Sequence, residues 1–375
     1  MPINYDGVQP SRLGAINAAG GDENALFLKV FAGEVLTTFE ENNAMMPLHR
    51  VRTITSGKSA QFPVTGVAAA KYHTPGESLF TQEFDDASDT TGTNKYLSQV
   101  KHNERIIHID GVLTASSFLS DIDEAKNHYE VRSIYSTEIG RQLAYTADRN
   151  LIRTVIAGAR STTDRFGATT ADGASTYGGA VINMGTTDGG GNEVITATKV
   201  ADGAAATGAT LVSGLFLAAE LMDSKNVPDH GRYCLLPPSE YYKLVNENQD
   251  AINRDFNPEG NGSIAAGEIL SVAGIRILKS NHVPQAAASS TEIHADASVA
   301  TDVFGGSGVG YGNTSFAETK GIIFQSEGVG TVKLMDLSME SEYFMDRLGT
   351  LLMAKYAMGH GILREEACME LIVTA

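Results

Sequence analysis

Apolar side chains recur at every fourth position through one long stretch: Val131, Tyr135, Ile139, Leu143, Ala147, Leu151 and Val155. Four residues advance about 400° on a helix of 3.6 residues per turn, so the stripe drifts by roughly 40° at each step. It winds around the helix instead of marking one seam, and the alternation of three and four that a coiled coil needs is absent. The segment that carries it, Asp121 to Ala157, runs 37 residues with no proline and a single glycine, Gly140. This predicts one helix of about 55 Å. Ser120 suits the N-cap, with Asp123 three residues on. Asp121, Asp123 and Glu124 lie at the positive end of the helix dipole, Arg149 and Arg153 near the negative end. Gly158 is the expected stop. A mid-helix glycine costs about 1 kcal/mol relative to alanine, so Gly140 is expected to mark close packing or a bend. The helix reads as a beam laid across several partners.

The remaining pattern is mixed. Residues 1–24 are polar and aperiodic, a loose arm, and Ala25 to Glu41 has helical spacing. Val51 to Thr55 and Ala60 to Val64 alternate like strands around Ser56-Gly57-Lys58-Ser59, which predicts a β-hairpin. From Gly66 to Lys101 there is little to bury: alanines, Pro75-Gly76, then Glu77, Glu83, Asp85, Asp86 and Asp89 with no base among them. An excursion of this length without its own core is unusual inside a compact domain. Arg105 to Leu113 predicts a strand leading to the beam. Residues 159–210 are rich in Gly, Thr and Ala, with short strands expected at Ala180–Met184 and Val194–Thr198. A helix at Leu211–Lys225, a buried strand at Tyr233–Leu236, a helix at Pro238–Asn246 and a strand at Ile275–Lys279 suggest a separate small domain over roughly 206–282. Residues 283–317 are loop-like. Strand character resumes at Lys320–Gln325, Thr331–Leu334, Leu337–Glu340 and 350–373 around Gly359-His360-Gly361.

Composition narrows the function. At 375 residues more than one hydrophobic core is expected. A formal charge of -17, from 28 basic and 45 acidic residues, argues against a dedicated nucleic-acid binder. Cys234 and Cys368 are expected to be reduced, buried thiols. The opening residues lack a signal-peptide pattern and the longest apolar run, near Leu211 to Met222, is too short and polar to span a membrane. Synthesis and assembly in the cytosol are the expectation.

Catalytic patterns do not survive inspection. Gly57-Lys58-Ser59 resembles the end of a phosphate loop, but Arg52 stands where its first glycine belongs, and the flanks read as strands. The glycines from Gly305 to Gly312 fit neither dinucleotide spacing nor a nucleophile elbow. His102 and His108 share a strand face, yet no His-Glu-x-x-His arrangement exists. Asp85-Asp86 and Asp121/Asp123 read more simply as a solvated loop and a helix cap than as metal ligands. No cofactor is expected.

Several strings resemble one family. Ala25-Leu-Phe-Leu-Lys-Val-Phe-Ala-Gly-Glu-Val-Leu36, Ile54-Thr-Ser-Gly-Lys-Ser-Ala-Gln-Phe-Pro63, Thr74-Pro-Gly-Glu77 and Ile109-Asp-Gly-Val-Leu-Thr-Ala115 resemble the major capsid proteins of short-tailed double-stranded DNA phages of the autographivirus (podovirus) type. Asp121-Ile-Asp-Glu-Ala125, Asn127-His-Tyr129, Val131-Arg-Ser133, Gly328-Val-Gly-Thr-Val-Lys-Leu334 and Ala354-Lys-Tyr-Ala-Met-Gly-His-Gly361 extend the match to the carboxy-terminal part. Residues 159–205 depart from the family pattern, so no role is carried over to them.

The resemblance implies an α+β fold of the Hong Kong 97 capsid type. Its parts would be an N-terminal arm (1–50), an extended loop (51–110), a peripheral domain with the spine helix (111–205 and 316–375) and an axial domain (206–315). It implies a structural subunit, not an enzyme, that self-assembles into pentamers and hexamers of an icosahedral head. That head would enclose packaged double-stranded DNA without sequence-specific binding, with a scaffolding protein and a portal as partners during assembly in the bacterial cytoplasm. Some relatives carry covalent cross-links, but no Lys/Asn pair stands out here. In such a shell the acidic residues Glu77, Glu83, Asp85, Asp86 and Asp89 are expected to face basic groups of a neighbouring subunit. Arg132, Arg141, Arg149 and Arg153 on the beam are the candidates. The competing readings are a soluble α/β enzyme with its active site in the middle domain, and a tail or decoration protein.

Overall fold

The computed structural model describes residues 45–66, 68, 70–80, 82–83, 93–97, 100–122, 131–161, 166, 178–184, 207–247, 262–263, 268–269, 271–284, 316 and 318–373. The arm helix expected over 25–41 and the strand expected at 194–198 lie outside these residues. The first strands are β1 (Arg50–Thr53), β2 (Ser59–Thr65), β3 (Gln82–Glu83), β4 (Thr93–Asn94), β5 (His102–His108) and β6 (Leu113–Ser120). A long helix, Val131–Ala159, follows, then β7 (Ala180–Asn183), a helix Gly208–Ser224, β8 (Arg232–Leu236) and a helix Pro238–Glu247. Next come β9 (Gly262–Ser263), β10 (Glu268–Ile269), β11 (Ser271–Val272), β12 (Ile275–Lys279) and β13 (Thr319–Gln325). The chain closes with β14 (Val329–Phe344), β15 (Gly349–Ile362) and β16 (Cys368–Ile372).

Two sheets carry the architecture. One has the order β11-β12-β8-β13-β16-β7, the other β1-β14-β15-β6. The six-stranded sheet is buried on both faces, which is why β8 reads Arg-Tyr-Cys-Leu-Leu with no polar alternation. Cys234, Leu236, Ile323, Met369 and Leu371 pack beneath the helices Gly208–Ser224 and Pro238–Glu247. Their strand neighbours Leu235, Ile322, Phe324 and Cys368 turn to the opposite face, against Leu151, Ile152, Val155 and Ile156 of the long helix. Both cysteines are free and buried, as their placement in these layers requires. β7, β13 and β16 are hydrogen-bonded into the same sheet as β8 and β12. The middle region therefore shares a sheet with the carboxy-terminal strands.

The drifting stripe has a direct structural meaning. Ile139, Leu143 and Ala147 pack on Leu352, Ala354, Tyr356 and Met358 of β15. One turn later, Leu151 and Val155 sit at 0% exposure against the six-stranded sheet. One helix thus roofs two sheets that lie around its axis at different angles. It runs on through Gly158, which is not its stop: a Cβ there would come within 3.1 Å of Cys368 Sγ, so the glycine lets the last turn settle on β16. Gly140 shows the opposite. A Cβ built there meets nothing within 4 Å among the described residues, so no close packing with them calls for it.

The hairpin expected around Ser56–Ser59 does not form. Both strands exist, but β1 pairs in parallel with β14 and β2 pairs antiparallel with β5, Ser59 opposite His108. Alternation sets which face a strand presents, while the partner is chosen by burial elsewhere in the chain. Here Ala60, Phe62 and Ile107 close a small core with Val332 and Leu363. The strand expected over 105–113 is divided: β5 ends at His108 and β6 begins at Leu113, lying along β15 from Gly349 opposite Ser120 to Tyr356 opposite Leu113. Thr331–Leu334 and Leu337–Glu340 are parts of the single strand β14, whose register shifts between Lys333 and Ser338.

Candidate assembly surfaces

Among the described residues, large apolar side chains reach solvent in several places, and three of these hold the most exposed of them. The most extended rises from the β2–β5 ribbon, whose base is fixed from several sides. Gly359 lets that ribbon cross β15, because a Cβ there would lie 1.9 Å from the His108 carbonyl oxygen. Gly361 does the same for Ile107, at 2.8 Å from its Cγ1. The Gly359-His360-Gly361 string is therefore the floor on which the ribbon rests. Beside it, the Arg105 guanidinium donates to Glu365, whose side chain is 2% exposed. Burial pushes the Glu365 carboxyl up to about 7, with the Arg105 charge opposing that rise.

Beyond the ribbon the loop reaches solvent. Tyr72, Leu79, Phe80 and Leu97 are 102, 55, 74 and 46% exposed. The sequence suggests little to bury here, and these side chains correct that: the loop carries apolar surface as well as charge. Glu77 also has a base within reach. Its carboxylate accepts from the Tyr96 hydroxyl and from Lys95 Nζ, the latter at 3.0 Å, and these bonds in that order hold its pKa below the usual range. His73 and Tyr96 rings stack obliquely beside it at 4.9 Å, and His73 Nε2 lies 2.8 Å from the Glu77 carbonyl oxygen. The loop thus builds a local polar knot from groups spread over 73–96, a contact no short-range sequence pattern announces.

A second surface is the turn between β14 and β15. Met345 and Leu348 are 81 and 66% exposed, with Ile122 at 63% nearby in sequence to β6. Leu348 holds a left-handed backbone at φ 50°, unusual for a residue with a side chain. The turn is tied to the end of β6: Tyr343 Oη donates to Asp121 Oδ2 at 2.8 Å, and Asp121 N–H donates to the Leu348 carbonyl at 3.0 Å. A third surface is formed by Phe216 and Tyr242, 57 and 52% exposed on the helices over the six-stranded sheet. Lys279 Nζ reaches Tyr242 Oη at 3.1 Å there.

The residues singled out from the sequence fall into different situations. Glu83 lies in β3 and Arg132 in the long helix, but their side chains lie outside the described set, as do Asp85, Asp86 and Asp89 altogether. Arg141 pairs with Glu138 at 2.7 Å, three residues back on its own helix. Arg149 lies 5.1 Å from the Tyr145 ring. Arg153 is 1% exposed and lies over the Phe316 ring at 5.8 Å. It belongs to the core and is removed from the set of outward-facing bases. Residues 151–159 are all buried, so this end of the helix is covered on every side, including the side opposite Leu151 and Val155, and spacing alone misassigned it.

Among the described residues no group of three or more His, Cys, Asp or Glu is placed to hold a metal ion, and no helix is long and apolar enough to cross a membrane.

Residues 61–372 match the Gp10A-like family, described as major capsid protein. The major capsid protein of Escherichia phage T7 is 32% identical over 354 residues, covering 93% of this chain and 92% of that protein. That of Enterobacteria phage T3 is 32% identical over 363 residues, covering 95% and 93%. Among solved structures, the capsid of the cyanophage P-SCSP1u superposes with a TM-score of 0.68 at 38% identity, over 98% of this chain and 99% of that one. The mature capsid of bacteriophage PhiM1 shares the fold at a TM-score of 0.64 and 17% identity, over 100% and 98% of the two chains.

Proposed function

The chain belongs to the Gp10A-like major capsid protein family, a structural subunit of phage heads, and from that premise we propose how its surfaces build the shell. Copies of the chain assemble into pentamers and hexamers of an icosahedral head that encloses double-stranded DNA. The observation that carries this is the loop between β2 and β5. It is rooted on glycines and a buried ion pair, yet leaves Tyr72, Leu79 and Phe80 in solvent. A rigid root with an apolar end is what a clasp on a neighbouring copy needs, and many such modest contacts add up through multivalency.

In this reading 1–50 is the arm, 51–110 the extended loop, 206–315 the axial part and the remainder the peripheral part around the long helix. The acidic run Glu83, Asp85, Asp86 and Asp89 docks on a neighbour's bases, with Arg132, Arg141 and Arg149 as the candidate partners. The net charge of -17 suits a wall that surrounds DNA without gripping it. Assembly takes place in the bacterial cytoplasm with a scaffolding protein and a portal, and the chain works by association, not by catalysis. Sedimentation and negative-stain electron microscopy of the purified protein test this. Capsomers or closed particles are expected, together with loss of both when 70–97 is replaced by a short Gly/Ser linker. A wild-type protein that remains a small oligomer under all assembly conditions overturns the reading.

A further inference from the structure

The segment Met45–His49, just ahead of β1, is fastened by a buried line of polar groups that none of the three surfaces uses. Met45 N–H donates to Asp148 Oδ1 of the long helix at 3.3 Å, and Asp148 Oδ2 lies 2.9 Å from His282 Nδ1. His49 Nδ1 lies 2.8 Å from the Met45 carbonyl oxygen, and its Nε2 lies 2.5 Å from Thr331 Oγ1 of β14. Thr331 Oγ1 is in turn 2.9 Å from His360 Nδ1 of β15. His49, Thr331 and His360 are 8, 0 and 2% exposed.

The chemistry of these groups fixes where each hydrogen sits. A carbonyl only accepts, so His49 Nδ1 carries a hydrogen, and in the neutral ring Nε2 is then an acceptor. Thr331 donates its single hydroxyl hydrogen to that nitrogen and accepts from His360 Nδ1. A proton added to His49 Nε2 turns the acceptor into a second donor aimed at Thr331, and the hydroxyl hydrogen loses its place in the line. It also puts a cation into a site closed to water.

We propose that this line is an acid-operated latch, in which protonation of His49 releases Met45–His49 from Thr331 and the long helix. The idea stands apart from the shell reading and does not depend on it.

The charges facing His49 come from three elements. Asp148 of the long helix favours the cation, while Lys333 of β14 and the neighbouring His360 of β15 oppose it. Arg50, next in the chain, is exposed. Burial outweighs all of these and holds His49 below its ordinary 6.5, and the same cause drives His360 down to about 3. A base whose folded-state pKa is depressed is held neutral, so the latch is fully closed above 6.5. As pH falls below that, the released segment takes up the proton first. The ratio of released to held then rises by up to about tenfold per pH unit until the folded pKa is reached.

Amide hydrogen exchange of the full-length subunit at about pH 7.5 and about pH 5.0, corrected for intrinsic rates, tests the latch. Peptides spanning 45–54 should lose protection at the lower pH, by up to about thirtyfold, while β8 and β13 do not change. His49→Gln, which takes no charge, should abolish the difference. Equal protection at both pH values, or an undiminished difference in His49→Gln, overturns the proposal. Should that variant fail to fold, exchange of the histidine C2 hydrogens in the wild type decides. His49 must take up its proton over the range in which 45–54 opens, and opening with His49 still neutral overturns the latch.

Discussion

Arg160 grips Glu370 with two parallel bonds: Nε donates to Oε2 at 2.6 Å and Nη2 to Oε1 at 2.7 Å. Thr319 Oγ1 donates to the same Oε1 at 2.6 Å. The glutamate is 0% exposed while the arginine keeps 26% of its side chain in contact with solvent. Glu370 occupies the face of β16 that Cys368 also turns toward the long helix, so the pair fastens that helix end to the sheet. Arg160→Ala leaves a buried carboxylate without this counter-charge, with the neutral Thr319 donor still on it, and is expected to cost about 3–5 kcal/mol. Replacing both residues, Arg160→Met with Glu370→Leu, is expected to recover most of that loss. Urea unfolding of the dissociated subunit measures both, and a double variant as unstable as the single one would contradict the assignment.

Two glycines should behave in opposite ways. At Gly140 a side chain has open space, so Gly140→Ala is expected to stabilise the subunit by about 1 kcal/mol through helix propensity. At Gly359 the β5 backbone occupies the space, so Gly359→Ala is expected to abolish soluble expression or lower Tm by more than about 10 °C. Thermal scans of the two variants side by side check the contrast. If Gly140→Ala folds normally but no longer assembles, the position faces a neighbouring copy.

Glu365 predicts a pH dependence of stability. Its carboxyl is raised from 4.5 to about 7 in the fold, so below 4.5 both folded and unfolded forms are protonated and no stability is lost. Between 4.5 and 7 the unfolded chain gives up its proton first, and stability falls, on the order of 3 kcal/mol over that window. Glu365→Gln removes the proton exchange but keeps an acceptor for Arg105. Its urea midpoint should exceed the wild type at about pH 8 and converge with it near pH 4.5. A constant offset across pH would show that the carboxyl titrates normally.

The acidic loop gives a salt prediction. Asp85→Asn with Asp86→Asn should weaken assembly, with each lost pair worth about 0.2–1 kcal/mol but repeated at every subunit boundary. Wild-type assembly, followed by light scattering, should decline as salt approaches 1 M, where screening acts within about 3 Å. Equal assembly of mutant and wild type at every salt concentration leaves the run as a solvated tip.

What the sequence made legible was what depends on period. The stripe from Ile139 to Val155 appears as drawn, including its rotation from one partner to another. Strands such as Ile275–Lys279 lie where their apolar runs place them. Pairing was not legible, because β1 finds β14 and β2 finds β5 across long stretches of chain that no local pattern links. Nor were single polar contacts: Arg160 and Glu370 are 210 positions apart, and His49 and Thr331 are 282 apart. Arg153 shows the converse failure, since a charge opposite the apolar stripe reads as outward until its ring partner Phe316 is seen.

The long helix also has a mechanical meaning. Its 29 residues span about 43 Å as one rigid rod. Its first half is glued to β15 and its second half to the six-stranded sheet. A rod fixed at two points acts as a lever: a tilt of about 5° at one end sweeps the other by roughly 4 Å over this length. A small change in how β15 is seated against the rod would therefore arrive, magnified, at β16.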